Sequence, residues 1–137
     1  MTSSADRSQP ESLRLQLITP SITVDDLQAS IAFYCDVLGF TIKQEWEHEG
    51  ELRGVALVAG TAHLMLGQDD WAKGKDRAKG EALRFWFTAS RSADEVAAEI
   101  KARGGQLESE PDDLPWGGRA FTIVDPDGFN ITIGSDS

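Results

Sequence analysis

The residue types that most often carry out catalysis are scarce in this chain. Its 137 residues include two histidines, His48 and His63, and one cysteine, Cys35. Cys35 lies inside a predicted helix beside the apolar stripe, whereas reactive thiols usually lie near positive groups at a surface. No glycine-rich loop precedes a helix, as a phosphate site requires, because the pair at 104–105 follows one. The sequence therefore disfavours nucleophilic catalysis and phosphate binding.

The chain also has four tryptophans, whose aromatic side chains are candidates for ligand binding. Trp86 and Trp46 lie in strand-like runs, whereas Trp71 and Trp116 lie in loops. A loop aromatic can cap a pocket or cover the core, and an indole ring can stack on a planar ligand. These residues can therefore bind a planar ligand by stacking.

The elements that must position these residues follow a repeated plan. Each half of the chain has a strand, an amphipathic helix that ends in a glycine, and three further strands. The helix-ending glycines are Gly39 and Gly104. A repeated unit that cannot bury its own apolar face must pack on its twin. We expect a cleft between the two units and look for function there.

In the first half, the pattern predicts a strand over residues 13–24, in which Pro20 indicates an edge or an irregular position. Asp25 or Asp26 caps a helix, and Gly39 ends it in a left-handed position. The helix buries apolar residues spaced by three or four: Leu27, Ile31, Tyr34 and Leu38. Further strands are predicted over 41–47, 52–59 and 63–67.

The second half starts with a strand over residues 82–88. Ser92 and Glu95 form a capping box for its helix. The segment 125–128 has Asp first, Pro second and Gly fourth, which is typical of a tight turn. The remaining strands are predicted over 106–110, 118–124 and 129–133.

The order βαβββ, found twice, indicates the α+β class. We predict two paired βαβββ modules that form a curled antiparallel-type sheet with a central cleft. Residues 1–12 are expected to be a disordered leader, 13–67 the first module, 68–80 an inter-module loop and 81–137 the second module, within one domain. The basic residues of the loop alternate with Asp and Gly, so we interpret the loop as solvated.

Composition excludes several classes of partner. The net charge of −10 makes nucleic acid a poor partner, because its phosphates need Lys and Arg, although it would attract cationic small molecules. No apolar run approaches the roughly 18 residues that span a bilayer, and the first residues do not form a signal peptide. The single cysteine permits no internal disulfide. We therefore expect a cytoplasmic protein with no membrane partner.

Four short segments resemble the vicinal oxygen chelate superfamily, which contains glyoxalases, bleomycin-resistance proteins and extradiol dioxygenases. They are Ser-Ile-Ala-Phe-Tyr at 30–34, Val-Leu-Gly-Phe at 37–40, Pro-Trp-Gly-Gly-Arg at 115–119 and Asp-Pro-Asp-Gly-Phe at 125–129. The resemblance runs from about 15 to 134 and implies the fold. It does not imply one activity, because one fold hosts many chemistries.

Metal-dependent members of this superfamily supply one ligand from each of four strands. The resemblance places these positions at Thr19, Met65, Arg84 (or Phe85 after a one-residue shift) and Thr132. None of them suits Zn²⁺, which binds Cys, His or carboxylate, or Mg²⁺, which binds oxygen anions. We therefore expect no metal and no other cofactor.

Side chains alternate along a strand, so residues that share a face with these positions should line the cleft. The expected ligand-binding wall is Thr19, Ser21, Trp46, His63, Met65, Arg84, Trp86, Trp116, Asn130 and Thr132. No catalytic residue is assigned.

Each of these residues also has a structural interpretation. Trp86 can fill space between the modules, Arg84 can pair with a carboxylate, and His63 can be a sheet histidine without a ligand. Trp116 can cover the core, and Trp46 can face either the cleft or the core.

The wall favours binding without catalysis, as the resemblance to bleomycin-resistance proteins also implies. We expect a planar, neutral or cationic organic ligand with Trp86 as the main anchor, and a homodimer. Three alternatives stay open. One is a lyase, isomerase or dioxygenase with unusual metal ligands, another is a metal-free enzyme with His63 as general base, and the third is a regulatory module whose cleft is filled by its own side chains.

Overall fold

The computed structural model describes residues 13–136, so the expected leader at 1–12 lies outside the described residues. The first module contains β1 (Ser21–Val24), α1 (Leu27–Ile31) with a π-helical continuation (Ala32–Leu38), β2 (Thr41–His48), β3 (Glu51–Ala59) and β4 (Ala62–Gln68). The second contains β5 (Arg84–Thr88), α2 (Ala93–Ala102), β6 (Ser109–Asp113), β7 (Arg119–Val124) and β8 (Asn130–Ser135).

Each module forms a four-stranded mixed sheet. The strand orders are β1-β4-β3-β2 and β5-β8-β7-β6, so the two sheets have the same topology. Only the first pair of each sheet is parallel, and the other pairs are antiparallel. The prediction of an α+β fold built from paired βαβββ modules is confirmed, although the sheets do not close. No helix within residues 13–136 has the length and apolar character needed to cross a membrane.

The first helix begins and ends as its sequence predicts. The Asp26 carboxylate accepts a hydrogen bond from the Ala29 amide, which caps the N-terminus, and Gly39 ends the helix at φ 104°. The expected stripe is only partly correct. Leu27 and Tyr34 are buried, but Ser30 is buried where Ile31 was expected. The π-helical continuation has a wider repeat than an α-helix, so the α-helical spacing does not describe its buried face.

The first strand is shorter than predicted, because β1 contains only Ser21–Val24. Its parallel partner β4 begins at Ala62, and the pairing starts at Ser21 and Met65. Pro20 has no amide hydrogen to donate, although its carbonyl accepts a bond from Met65. The apolar residues before it, Leu13, Leu15, Leu17 and Ile18, are exposed.

The strand predicted over 106–110 is displaced along the chain, since β6 is Ser109–Asp113. It pairs with β7 through an irregular register between Ser109 and Asp112. Pro111 lies in this interval and cannot donate to the ladder, which fits its place on an edge strand.

The two modules share one core and are joined by direct contacts. The rings of Phe40 and Phe87 meet edge to face at 5.7 Å. The Arg103 side chain, at the end of α2, donates hydrogen bonds to the carbonyls of Val37 and Leu38, at the end of the first helix. These contacts fix the position of one sheet relative to the other.

The inter-module loop is not simply solvated, which corrects the prediction from its charge pattern. The Lys79 side chain is only 5% exposed and forms ion pairs with Asp69, at 2.8 Å, and with Asp25. Arg77 also pairs with Asp69, at 2.9 Å. The hydrogen bond from Lys79, together with the Trp71 amide, holds the pKa of Asp69 well below its usual range. The loop is therefore attached to the start of the first helix by buried charges.

Candidate functional site

The first and last strands of the second module place polar and aromatic side chains on one exposed face. Phe85 of β5 points into the core, whereas Arg84, Trp86 and Thr88 alternate with it and are exposed. In the parallel ladder with β8, Arg84, Trp86 and Thr88 lie opposite Asn130, Thr132 and Gly134, respectively. The expected alternation is seen from Arg84 to Thr88 and in the pairing with β8, but Leu83, expected in the core, is exposed and Thr132 is buried.

Trp86 forms an exposed platform on this face. Its side chain is 48% exposed, and a Cβ added to Gly134 would lie 3.3 Å from Cζ2 of its indole, so the ring lies over the glycine. Trp116 is 74% exposed, and its ring centroid lies 6.3 Å from that of Trp86 at an interplanar angle of 39°. Trp86 is therefore not a filler of the core, and the two indoles form one aromatic surface.

A cavity of about 410 Å³ lies beside the two indoles. Several of its lining residues were not anticipated from the sequence: Leu114, Gly117, Gly118, Gly134, Ser135 and Asp136. The alternation through Asn130 and Thr132 could have indicated Gly134. The other residues reach the cavity from loops and strand ends, and no periodic pattern in the sequence predicts such positions.

Arg84 is held against its neighbouring strand. Its Nη1 donates a 3.1 Å hydrogen bond to Oγ1 of Thr132, whose side chain is buried. None of the ion pairs found within residues 13–136 includes Arg84, so the expected alternative of a carboxylate partner is not observed there. The face therefore carries a localised positive charge beside Trp86.

These residues do not fit a metal site. The resemblance placed two ligand positions at Arg84 and Thr132, and the structure brings them into contact. A guanidinium there would repel a dication, and a hydroxyl that accepts from it is a weak ligand. Within the described part of the chain, no three His, Cys, Asp or Glu side chains form a group that could hold a metal ion.

The first sheet has a matching exposed face. Trp46 of β2 is 38% exposed and lies over Gly54, with its Cε3 3.4 Å from the position of an added Cβ. Across the four strands of the sheet, Trp46 of β2 lies opposite Gly54 of β3, Gly54 lies opposite Gly67 of β4, and Gly67 lies opposite Thr23 of β1. Trp46 therefore shares a face with Thr23 and Ser21, which removes the ambiguity between cleft and core.

The remaining predicted residues of the first module lie at this face or near it. His63 and Met65 are half-buried on β4, and Thr19 precedes β1 instead of belonging to it. None of the hydrogen bonds found within residues 13–136 orients the His63 ring as a general base requires. The structure thus places the predicted wall in two groups, one for each module. The first group is Ser21, Trp46, His63 and Met65 on the first sheet, with Thr19 just before it, and the second is Arg84, Trp86, Asn130 and Thr132 on the second sheet, with Trp116 in the loop between β6 and β7.

A second cavity, of about 360 Å³, lies between the modules and shares Thr88 with the cavity beside the indoles. Phe40, Phe87 and Val96 contribute apolar surface to it. Its arginine, Arg91, is paired with Glu95 and Glu99. The other polar side chains that line this cavity are the hydroxyls of Thr61, Thr88 and Ser90, and its lining residues include no exposed aromatic platform like Trp86. We therefore take the Trp86 face as the better candidate site.

Comparison with known proteins agrees with this architecture. The structure is similar to a member of the glyoxalase/bleomycin resistance protein/dioxygenase superfamily from Sphaerobacter thermophilus DSM 20745, with 25% identity, a TM-score of 0.71, and coverage of 90% of this chain and 99% of that one. It is also similar to TnmS3, an antibiotic binding protein from Streptomyces sp. CB03234, with 22% identity, a TM-score of 0.70, and coverage of 92% and 100%. The lactoylglutathione lyase from Agrobacterium tumefaciens is similar with 23% identity and a TM-score of 0.66, and the match covers 90% of this chain and 96% of the lyase.

The last two similarities show the fold alone, because a binding protein and a lyase share it. A comparison with curated protein sequences found no significant match. The family model described as Glyoxalase/Bleomycin resistance protein/Dioxygenase superfamily matches residues 14–133, nearly the whole described chain. The chain therefore belongs to this superfamily.

Proposed function

We propose that this protein binds a planar organic molecule without chemical conversion and without a metal, on the face that carries Trp86. One observation carries the proposal: Trp86 is half-exposed, backed by Gly134 and flanked by Trp116. A large apolar ring held flat against a strand and open on its other side is suited to stacking.

The energetics of such a platform are favourable. Stacking adds about 0.5 to 1.5 kcal/mol beyond the free energy of burying the ring area. The surrounding groups are few and directional, namely the Arg84 guanidinium, the Thr88 hydroxyl and the Asn130 amide. The two indoles thus supply apolar surface for stacking, and these groups supply directional polar contacts, which is a combination that small-molecule pockets use.

The comparisons support binding more than they support a particular reaction. TnmS3 is described as an antibiotic binding protein, and this chain has the same fold. The lyase from Agrobacterium tumefaciens also shares the fold. The Trp86 face, however, lacks the donor set of a metal site and a base oriented by a second group. Sequestration of a ligand therefore agrees best with the residues present.

We also propose that two copies of the chain associate as a homodimer. All eight residues of β2 are exposed, including Ile42 and Trp46, and β2 is an edge strand of its sheet. Exposed edges that carry apolar residues are commonly covered by another chain. A second copy facing these two sheets would convert open faces into clefts. The single cysteine fits a reducing compartment such as the cytoplasm.

The test is a calorimetric screen of planar heteroaromatic compounds, including bleomycin-type drugs, on the native protein and on Trp86→Ala. Truncation of an anchoring Trp costs about 2 kcal/mol or more, which is roughly a thirtyfold loss of affinity. Trp71→Ala is the matched control, because Trp71 contacts Lys75 and Lys79 in the inter-module loop. A compound that keeps its affinity for a folded Trp86→Ala protein would contradict the proposal.

A further inference from the structure

We propose that the ligand presents an anionic oxygen group to Arg84 while its ring lies on Trp86. This inference rests on the proposed binding of a planar molecule at that face, and it names the chemical class of that molecule. It revises the expectation of a neutral or cationic ligand, which came from the net charge of the whole chain.

Arg84 differs from the other arginines whose partners are identified within residues 13–136. Four of them pair with carboxylates: Arg53 with Glu51, Arg77 with Asp69, Arg91 with Glu95 and Glu99, and Arg119 with Asp94 and Asp113. Arg103 binds two backbone carbonyls. Arg84 binds a neutral hydroxyl, that of Thr132. In a chain with 23 acidic residues, its charge is left without an acidic partner in the described structure.

The guanidinium is also held in place on the same face as the indole. Arg84 and Trp86 lie two residues apart on one face of β5, which is roughly 7 Å along a strand. The bond from Nη1 to Thr132 anchors the guanidinium to β8, and Thr132 itself lies opposite Trp86 in the ladder. A guanidinium has five N–H donors in a rigid fork, and this bond engages one of them. The others can bind a carboxylate or a pair of neighbouring oxygens.

The local charge should outweigh the overall charge of the chain in selecting the ligand. The field of the other charged groups is screened over about 8 Å at physiological ionic strength. A ligand oxygen on Arg84 would be in direct contact, where charge-assisted hydrogen bonds are strongest. The favoured class is therefore a flat ring system with a carboxylate or phenolate oxygen about one strand repeat from the stacked ring.

Three probes with one ring system and different charges test this inference: 2-naphthoate, 2-naphthamide and 2-naphthylmethylammonium. Calorimetry on the full chain should find the carboxylate tightest by about fivefold over the amide, since exposure weakens a charge-assisted bond, and the ammonium weakest. Arg84→Gln should remove the preference for the carboxylate, so that the affinities for the carboxylate and the amide lie within about twofold of each other. Arg84→Lys should keep part of the preference for the carboxylate, because lysine keeps the positive charge but lacks the paired N–H donors of a guanidinium.

Arg53→Gln is the matched control, because it removes the same charge from the first sheet and should preserve the order of affinities. Equal affinities for the three probes, combined with loss of binding in Trp86→Ala, would overturn the role of Arg84 and leave the proposed function intact. An unchanged carboxylate preference in folded Arg84→Gln would also overturn it. Failure of all three probes to bind at millimolar concentration would overturn the proposed face itself. The comparison on the native protein needs no variant, so a folding defect cannot obscure it.

Discussion

The hydroxyl group of Tyr34 donates a 2.7 Å hydrogen bond to Oδ2 of Asp125 and so joins the first helix to the turn that precedes β8. Both residues are buried. The carboxylate also accepts bonds from the amides of Asp127 and Phe129, which fixes the turn. Burial raises the pKa of Asp125, and burial together with the Asp125 charge raises the pKa of Tyr34. This bond thus helps to position the strand that carries Thr132.

We expect Tyr34→Phe to lower the free energy of unfolding by about 1 to 3 kcal/mol, because it leaves a buried carboxylate with one donor fewer. Urea denaturation measures the change. Thr41→Val is the control, since it removes an exposed hydroxyl bonded to the Val58 carbonyl and should change stability by less than about 0.5 kcal/mol. Equal stability of Tyr34→Phe and the native protein would mean that the bond contributes nothing net.

Gly80 ends the inter-module loop against the turn of the second module, where no Cβ fits. An added Cβ would lie 2.2 Å from the backbone carbon of Gly128. We expect Gly80→Ala to destabilise the protein by about 2 kcal/mol or more, because backbone must move to relieve the overlap. In Gly67→Ala, an added Cβ meets nothing within 4 Å, so stability should be unchanged or slightly higher. Thermal unfolding of the two variants checks both expectations, and similar melting temperatures would refute the steric argument.

The Asp69–Lys79 ion pair predicts a dependence of stability on pH. The pKa of Asp69 is lowered in the folded protein, so its contribution is present above the ordinary value of about 3.9 and is lost as pH falls below it. The pKa of Lys79 is raised by its bonds to Asp25 and Asp69, so its contribution is lost only as pH rises past the ordinary value of about 10.4.

Urea denaturation from pH 3 to 8 should therefore find Asp69→Asn least stable relative to the native protein near neutrality, and the difference should begin to shrink as pH falls below about 4. The control is Asp70→Asn, whose carboxylate accepts a bond from the Ala72 amide instead of pairing with a lysine. A difference between Asp69→Asn and the native protein that stays constant with pH would show that the ion pair is not its source.

We expect the protein to be a homodimer at micromolar concentration. Light scattering after size exclusion should give about twice the 14.9 kDa of one chain. Trp46→Glu places a charge on the exposed face of the first sheet and should shift the protein toward the monomer, whereas Glu49→Gln, at the β2–β3 turn, should not. A native protein that elutes with the mass of one chain would contradict the dimer.

We expect purified protein to contain no stoichiometric transition metal. The physical reason is that the guanidinium of Arg84 lies against Thr132, and that no three His, Cys, Asp or Glu side chains within residues 13–136 are grouped to hold a metal. Elemental analysis of protein purified without chelator measures this directly. Near one equivalent of Zn, Ni, Mn or Fe per chain, lost on chelation together with an activity, would contradict it.

The repeated modules could be predicted from the sequence because their signals are local. Capping by Asp26, the left-handed Gly39 and the alternation around Trp86 depend on neighbours within a few residues. The same alternation assigned Arg84 and Thr132 to one face. The failures occurred where the spacing was not regular, in the π-helical continuation and in the strands that contain or follow a proline.

What the sequence by itself determined was therefore the order of the elements, the fold they imply and the shared face of Arg84, Trp86 and Thr88. Only the tertiary structure decided which charges are paired. Lys79 is buried between Asp25 and Asp69, whereas Arg84 meets a hydroxyl, and neither outcome has a periodic signal in the sequence. The partners of a charged side chain come from distant parts of the chain, and packing brings them together only after the modules have docked.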